Sequence, residues 1–293
     1  MGKSIVFIHG RSQQGKVPDE IRNEWINAFR TGLGRQADEF LSTINIALPF
    51  YGDILDGFTR QMEADLPADV ILRGTSATSD IEFQEYAAAV ADGLRRSLAM
   101  TDAQIDAELG DAVIERGPQN WGWVQAIFKA ADRLPGLSAH AIERATRDVY
   151  LYLTRTKVRK AINSVVEDAL GDGSVVLVGH SLGSVVGYDI LLNSPKAANV
   201  VHYVTIGSPL AVGPIMRSFK PLRYPEQLRS WYNAFDDRDV VALNALDNGY
   251  FPVSGGRINN QNNIRNRTDN AHGISGYLCD PTLANHLRQI VET

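Results

Sequence analysis

The stretch Ser174-Val-Val-Leu-Val-Gly-His-Ser-Leu-Gly-Ser-Val-Val186 constrains this chain more than any other. Val175 to Val178 is a short apolar run rich in β-branched residues, which reads as a buried strand. Gly179-His180-Ser181-Leu182-Gly183 then turns sharply, and the spacing of Leu182, Val185, Val186 and Ile190 continues as a helix with these side chains on one side. In a strand, tight turn and helix, G-x-S-x-G lifts the serine hydroxyl to the apex of the turn. The two glycines leave room for backbone that a side chain would block. The hydroxyl stands at the first turn of a helix, where free N–H groups and the helix dipole favour a developing anion. The alternative is a strand-to-helix turn that merely contains a serine.

Gly179-His180-Ser181-Leu182-Gly183 resembles the nucleophile elbow of α/β-hydrolase-fold lipases and esterases. The resemblance implies an α/β fold, a mostly parallel sheet with helices on both faces, here as a single domain over residues 1–293. It implies a serine nucleophile, an acid and a histidine base that follow one another in that chain order, and no cofactor. Ile5 to Ile8 and Ile44 to Leu48 read as strands flanking an amphipathic helix from Pro18 to Leu33, whose stripe is Ile21, Trp25, Ala28 and Phe29. Gly32 and Gly34 are expected to terminate that helix. This β-α-β order is the building block of a parallel sheet.

From about Asp53 to His140 strand patterns give way to helix-like segments, at Ile81 to Met100 and at Ala103 to Ile114 after a Thr101 or Asp102 cap. One long helix is expected over roughly Ala141 to Leu170. The region 53–140 therefore reads as a helical insertion after the second strand, outside the resemblance, and as a lid over the sheet. Its Trp121, Trp123 and Phe128 either line a site for an apolar acyl chain or form the insertion's own core. The sheet resumes at Val175, with further strands expected at Val200 to Ile206, Leu228 to Phe235 and within Arg257 to Arg265, and with a helix at Pro281 to Val291. The Pro- and Gly-rich segment from Gly207 to Pro225 reads as a loop near the mouth of the site.

Given the chain order, the base for Ser181 comes from His272 or His286. His286 sits mid-helix, whereas His272 lies in the polar loop Asp269-Asn-Ala-His-Gly273, so His272 is preferred. Asp239-Val-Val-Ala242 resembles the Asp-Pro-Val that carries the acid in many lipases, with Val240 in place of Pro, which selects Asp239. Asp236 is the other candidate, being first off the strand, and Asp189 is set aside because it lies on the helix after Ser181. The oxyanion hole is expected from the backbone N–H groups of Leu182 and Arg11, the latter because His9-Gly10-Arg11 resembles the family's HG oxyanion motif. His9 and His180 read as structural neighbours. The expected reaction is cleavage of a small-molecule or lipid carboxylic ester through an acyl-enzyme.

The net charge of -5 offers no basic field for nucleic acid. No apolar run reaches transmembrane length, the N-terminus carries no signal pattern, and one cysteine, Cys279, fits a reducing compartment, so a cytoplasmic protein is expected. No metal-ligand cluster has suitable spacing. Gly10-Arg-Ser-Gln-Gln-Gly-Lys16 falls one residue short of a phosphate-cradling P-loop: Val17 lacks the hydroxyl for Mg²⁺ and Pro18 lacks an N–H. The remaining alternatives are a non-catalytic binding protein of hydrolase type, an amidase or thioesterase on the same triad, and, last, a degenerate P-loop nucleotide hydrolase.

Overall fold

The computed structural model describes residues 3–11, 13–64, 81–109, 117, 120–133, 139–242, 244–269 and 271–293. Alternation along the first strand sets the layering. In β1 (Ser4–Ile8), Ile5 and Phe7 join one buried layer and Val6 and Ile8 the other, because successive side chains of a strand point to opposite faces. In β3 (Val175–His180), Val176 and Val178 join the first layer and Val175 and Leu177 the second. Such apolar runs, buried on both faces, belong to parallel strands covered by helices.

The other strands are β2 (Asn45–Ala47), β4 (Val200–Ile206), β5 (Ser230–Ala234) and β6 (Ile258–Gln261). Among the described residues they form a six-stranded sheet in the order β2-β1-β3-β4-β5-β6, parallel throughout. The chain runs outward from β1 to β2 and then returns to the other side of β1 as β3. This reversal opens a crevice at the C-terminal ends of β1 and β3, where open α/β sheets bind their ligands.

The helices in chain order are α1 (Pro18–Leu33), α2 (Ala37–Ser42), α3 (Gly52–Ala64), α4 (Ile81–Ser97), α5 (Asp102–Leu109) and α6 (Trp121–Asp132). They continue as α7 (Ala139–Thr154), α8 (Thr156–Glu167), α9 (Leu182–Asn193), α10 (Gly213–Ser218), α11 (Ile274–Leu278) and α12 (Pro281–Glu292). Ile21, Trp25 and Phe29 of α1 and Leu283 and Leu287 of α12 cover one face of the sheet. Val158, Ile162 and Val166 of α8 and Val185, Val186 and Ile190 of α9 cover the other.

Several sequence expectations are corrected. The single helix over 141–170 is two helices, α7 and α8, because Arg155 is extended (φ −100°, ψ 101°). The Arg159 side chain donates to the Tyr152 and Leu153 carbonyls, which satisfies the freed end of α7. α9 is buried all round from Leu182 to Leu191, where its pattern implied one apolar side. Thr101 rather than Asp102 caps α5, in a reciprocal pair with Gln104. That helix ends at Leu109, and 110–116 lie outside the described residues. The segment 207–225 contains α10 rather than loop alone.

Gly34 terminates α1 (φ 61°), but Gly32 does not: it is helical and marks a close approach. A Cβ there would lie 2.4 Å from the Leu278 carbonyl oxygen and 2.7 Å from the Ala284 Cβ. Gly32→Ala is therefore expected to lower the melting temperature by several degrees, since overpacking of about 1–3 kcal/mol outweighs the helix-propensity gain of about 1 kcal/mol. Gly57→Ala in α3, where a Cβ meets nothing within 4 Å, is expected to leave the melting temperature unchanged or raise it. Scanning calorimetry of the two variants checks both signs.

Candidate active site

β3 ends at His180 and α9 begins at Leu182, so Ser181 alone makes the turn. Its φ of 54° and ψ of −125° are sparsely populated for an L-residue and cost on the order of 1–3 kcal/mol. A Cβ on Gly179 would lie 2.6 Å from the Gly183 oxygen, and one on Gly183 only 2.1 Å from the Ile8 oxygen, so neither position admits a side chain. The Ser181 N–H donates to the Ile206 carbonyl (3.0 Å), and the Ser181 carbonyl accepts from the Ser184 N–H (2.9 Å) and hydroxyl (2.6 Å). The Ser184 and Ser208 hydroxyls are 2.7 Å apart, tying the turn to the end of β4.

Asp239 lies fully buried in the loop after β5. Its Oδ2 is 2.8 Å from His272 Nδ1 and accepts from the Tyr277 hydroxyl at 2.6 Å, while its Oδ1 accepts from the Val241 N–H at 2.9 Å. Burial, then the Asp239 charge and hydrogen bond, push the Tyr277 phenol far up, so it remains a donor. The same phenol oxygen accepts from the Asp236 N–H at 3.1 Å. Gly207 makes room for the pair: with φ at +54°, a Cβ there would lie 2.9 Å from Asp239 Oδ2 and 3.1 Å from His272 Nδ1. His180 Nε2–H donates to the His272 carbonyl at 2.8 Å, with the two rings 4.7 Å apart. Burial, followed by the neighbouring His272, pushes His180 well below the ordinary imidazole range, so its ring is a neutral strut.

The loop after β1 runs beside this turn because Ile8 pairs in register with Gly179. A Cβ on Gly10 would come within 3.0 Å of the Ser181 Cβ. The Tyr51 N–H donates to His9 Nε2 at 3.1 Å, which leaves the His9 proton on Nδ1, 2.6 Å from the Gly10 oxygen. Burial lowers the His9 pKa to about 4, so this ring too is neutral. The Tyr51 ring stacks on His9 at 3.9 Å and its hydroxyl donates to the His9 carbonyl. Arg11 Nε donates to Asp148 Oδ2 on α7 at 2.8 Å.

Ser181 and His272 open on one cavity of about 450 Å³. Gly10 and Arg11 line it too, and its far wall is largely apolar, formed by Tyr86, Val90 and Leu94 of α4 and Ile142, Ala145 and Val149 of α7. Ala211, Val212 and Ile215 of the segment after β4 line it as well. Trp121, Trp123 and Phe128 are not among the described residues lining the cavity. Trp123 and Phe128 pack with Ala91, Ile105 and Ile127 as the core of the helical segment itself, and half-buried Trp121 packs against that core.

The other sequence candidates go elsewhere. Asp236 faces Arg238 and the Asn266 N–H (2.8 Å). Burial raises its pKa, but those hydrogen bonds outweigh that and hold it below the ordinary carboxylate range. His286 stacks on Tyr232 at 3.8 Å, and Asp189 accepts from Asn163 (2.8 Å) and Tyr152 (3.1 Å) on the far side of α9. In the P-loop-like segment the Gly15 N–H donates to the Asp53 carboxylate at 2.7 Å, so an acidic side chain stands where a phosphate would bind. Among the described residues no cluster of His, Cys, Asp and Glu is arranged to hold a metal, and no helix is long and apolar enough to cross a membrane.

Sequence reasoning missed Gly207, Tyr277 and Asp148. Gly207 carried a weak signal, a glycine directly after an apolar strand. Tyr277 and Asp148 carried none, since each sits in ordinary helical sequence and gains its partner only through tertiary packing.

A family model described as Lipase (class 3) matches residues 20–245, which is well over half of the chain. The matched span contains Ser181 and Asp239 and runs through the 53–140 segment, for which the sequence motifs carried no resemblance. Arg11 and His272 lie outside it. No curated protein matches the chain at a significant level.

Gly207→Ala is expected to separate Asp239 from His272, because the added Cβ enters between them at an already left-handed backbone. Proton NMR checks this: the downfield signal of the hydrogen-bonded His272 Nδ1–H, present in the wild type, is expected to vanish in the variant.

Proposed function

The chain belongs to the class 3 lipases, a family of α/β-hydrolase-fold serine lipases, and from that membership we propose that it hydrolyses carboxylic esters with Ser181, His272 and Asp239 as its triad. The observation that carries this reading is the 2.8 Å contact between buried Asp239 and His272, with His272 opening on the same cavity as Ser181. His272 Nε2 takes the Ser181 proton as the serine oxygen adds to the ester carbonyl. Asp239 holds the Nδ1–H tautomer and stabilises the imidazolium. The N–H groups of Leu182 and Arg11 receive the oxyanion, each worth about 3–4 kcal/mol of barrier. The imidazolium returns its proton to the departing alkoxide, and water cleaves the acyl-enzyme by the same steps.

The apolar wall from α4 and α7 supports an ester with an apolar acyl chain, lipid esters included. In this reading the whole chain is one hydrolase domain and the 53–140 insertion is the cover of its site, contributing α4 to the wall. Because Trp123 and Phe128 form that segment's own core and Trp121 packs against it, acyl selectivity is assigned to the α4 and α7 side chains instead.

Intact mass after treatment with a fluorophosphonate tests the nucleophile. A single adduct is expected on the wild type and none on Ser181→Ala, with hydrolysis of nitrophenyl esters falling at least ~10⁴-fold in the variant. A folded wild type that takes no adduct makes the chain a binding protein instead. Asp239→Asn is expected to lower kcat by about 10³–10⁴-fold, whereas Asp236→Asn costs thermal stability and leaves kcat within a few-fold. Equal losses of kcat in the two variants would undo the choice of acid.

A further inference from the structure

Asp148 is a buried carboxylate that the reaction above does not use. It lies on α7, its side chain 10% exposed. Burial pushes its pKa up, and Arg11, then Arg144 and Thr59, pull it back. A carboxylate in such a place is destabilising unless paired, and its closest partner is Arg11, at 2.8 Å and with a side chain only 16% exposed. Thr59 Oγ1 of α3 reaches the other carboxylate oxygen at 3.5 Å. Asp148 therefore joins two helices of the segment between β2 and β3 to the loop that leaves β1.

We infer that Asp148 is a positioning residue for ester hydrolysis: through the Arg11 side chain it fixes the direction of the Arg11 backbone N–H at the oxyanion. This rests on the reading of Arg11 as the second donor. Within the loop the Gly10 carbonyl accepts from His9 Nδ1–H at 2.6 Å and the Arg11 carbonyl from the Gln13 side chain at 3.1 Å, while the Arg11 side chain is what ties it to α7. A backbone donor adds to catalysis only if its direction is set before the charge develops. The cation–carboxylate bond from α7 supplies that constraint, and it makes the oxyanion loop dependent on a helix of the cavity wall.

The test uses Asp148→Asn, Arg11→Met and the double variant. Arg11→Met keeps the backbone N–H and the aliphatic stem and removes only the anchor. Each single variant and the double are expected to lose the same ~10- to 100-fold in kcat, less than the 10²–10³-fold for deleting a donor outright, with KM unchanged. Affinity for an arylboronic acid, whose boron accepts the Ser181 oxygen while the proton passes to His272, is expected to fall in parallel, as a mimic of the tetrahedral state must. Asp148→Glu is expected to restore part of the loss. A purely structural Asp148 would lower the melting temperature and leave kcat and boronate affinity alone; that result, additive single losses, or a change confined to KM overturns the inference. If Asp148→Asn does not fold, Arg11→Met and Asp148→Glu give the same comparison. A wild type that neither hydrolyses nitrophenyl esters nor binds the boronate defeats the triad reading and this inference together. An active wild type with unaffected variants defeats the inference alone.

Discussion

The approach of α9 to β1 is the constraint on which the rest of the molecule depends. At Gly183 the helix backbone lies so near the first strand that a Cβ would sit 2.1 Å from the Ile8 oxygen and 2.7 Å from that of His9. This contact brings the first turn of α9 to the end of β1, so that Gly10 lies against Ser181. It also fixes the hand of the turn. With Gly179 pressed against Gly183 and Ser184, the only residue left to reverse the chain is Ser181, and it does so in a backbone conformation that its side chain resists. Packing elsewhere, chiefly the apolar layers on both faces of the sheet, holds that strain in place.

Around this point the polar groups are spent sparingly. Two of the histidines near Ser181, His9 and His180, are kept neutral by burial, which outweighs their hydrogen bonds to backbone carbonyls, and this leaves His272 as the imidazole with a carboxylate partner. Asp239 takes one side-chain donor besides His272, the Tyr277 phenol, and one backbone donor from Val241. The paired aspartate three residues earlier, Asp236, is consumed by Arg238 and Asn266. Two carboxylates in one loop thus have separate duties, one in orienting an imidazole and the other in holding the loop.

Much of this was legible in the sequence because the elbow is a local feature. Strand, glycine, serine, glycine and helix are adjacent in the chain, and their meaning does not wait for tertiary contacts. The parallel strands were legible for the same reason, since burial on both faces leaves an unbroken apolar run such as Val175 to Val178. What was not legible depends on meetings between distant segments. Tyr277 reaches Asp239 across the loop that carries His272, and Asp148 meets Arg11 from a helix whose pattern gives no hint of it. The break at Arg155 was hidden because Thr154 and Thr156 continue a helical pattern, and the Arg159 side chain that satisfies the freed carbonyls sits one turn further along the chain. The three aromatics of the insertion were ambiguous in sequence, as a buried ring looks alike whether it faces a ligand or its own helix bundle.

The connection between β2 and β3 has a further consequence. The chain leaves the sheet at Ala47, builds α3 to α8, and rejoins at Val175 on the opposite side of β1 from the strand it left. Closing a longer excursion costs little: each doubling of the length of a flexible connection adds only about 0.6 kcal/mol of entropy. The helices near the middle of the excursion also carry their own core, so they ask little of the sheet. Such a segment can lengthen, shrink or be exchanged over generations while the elbow, the strands and the buried carboxylate stay in register. The α4 part of the cavity wall is therefore free to diverge where α7, which carries Asp148, is not, and chains that share the elbow can come to enclose differently shaped cavities.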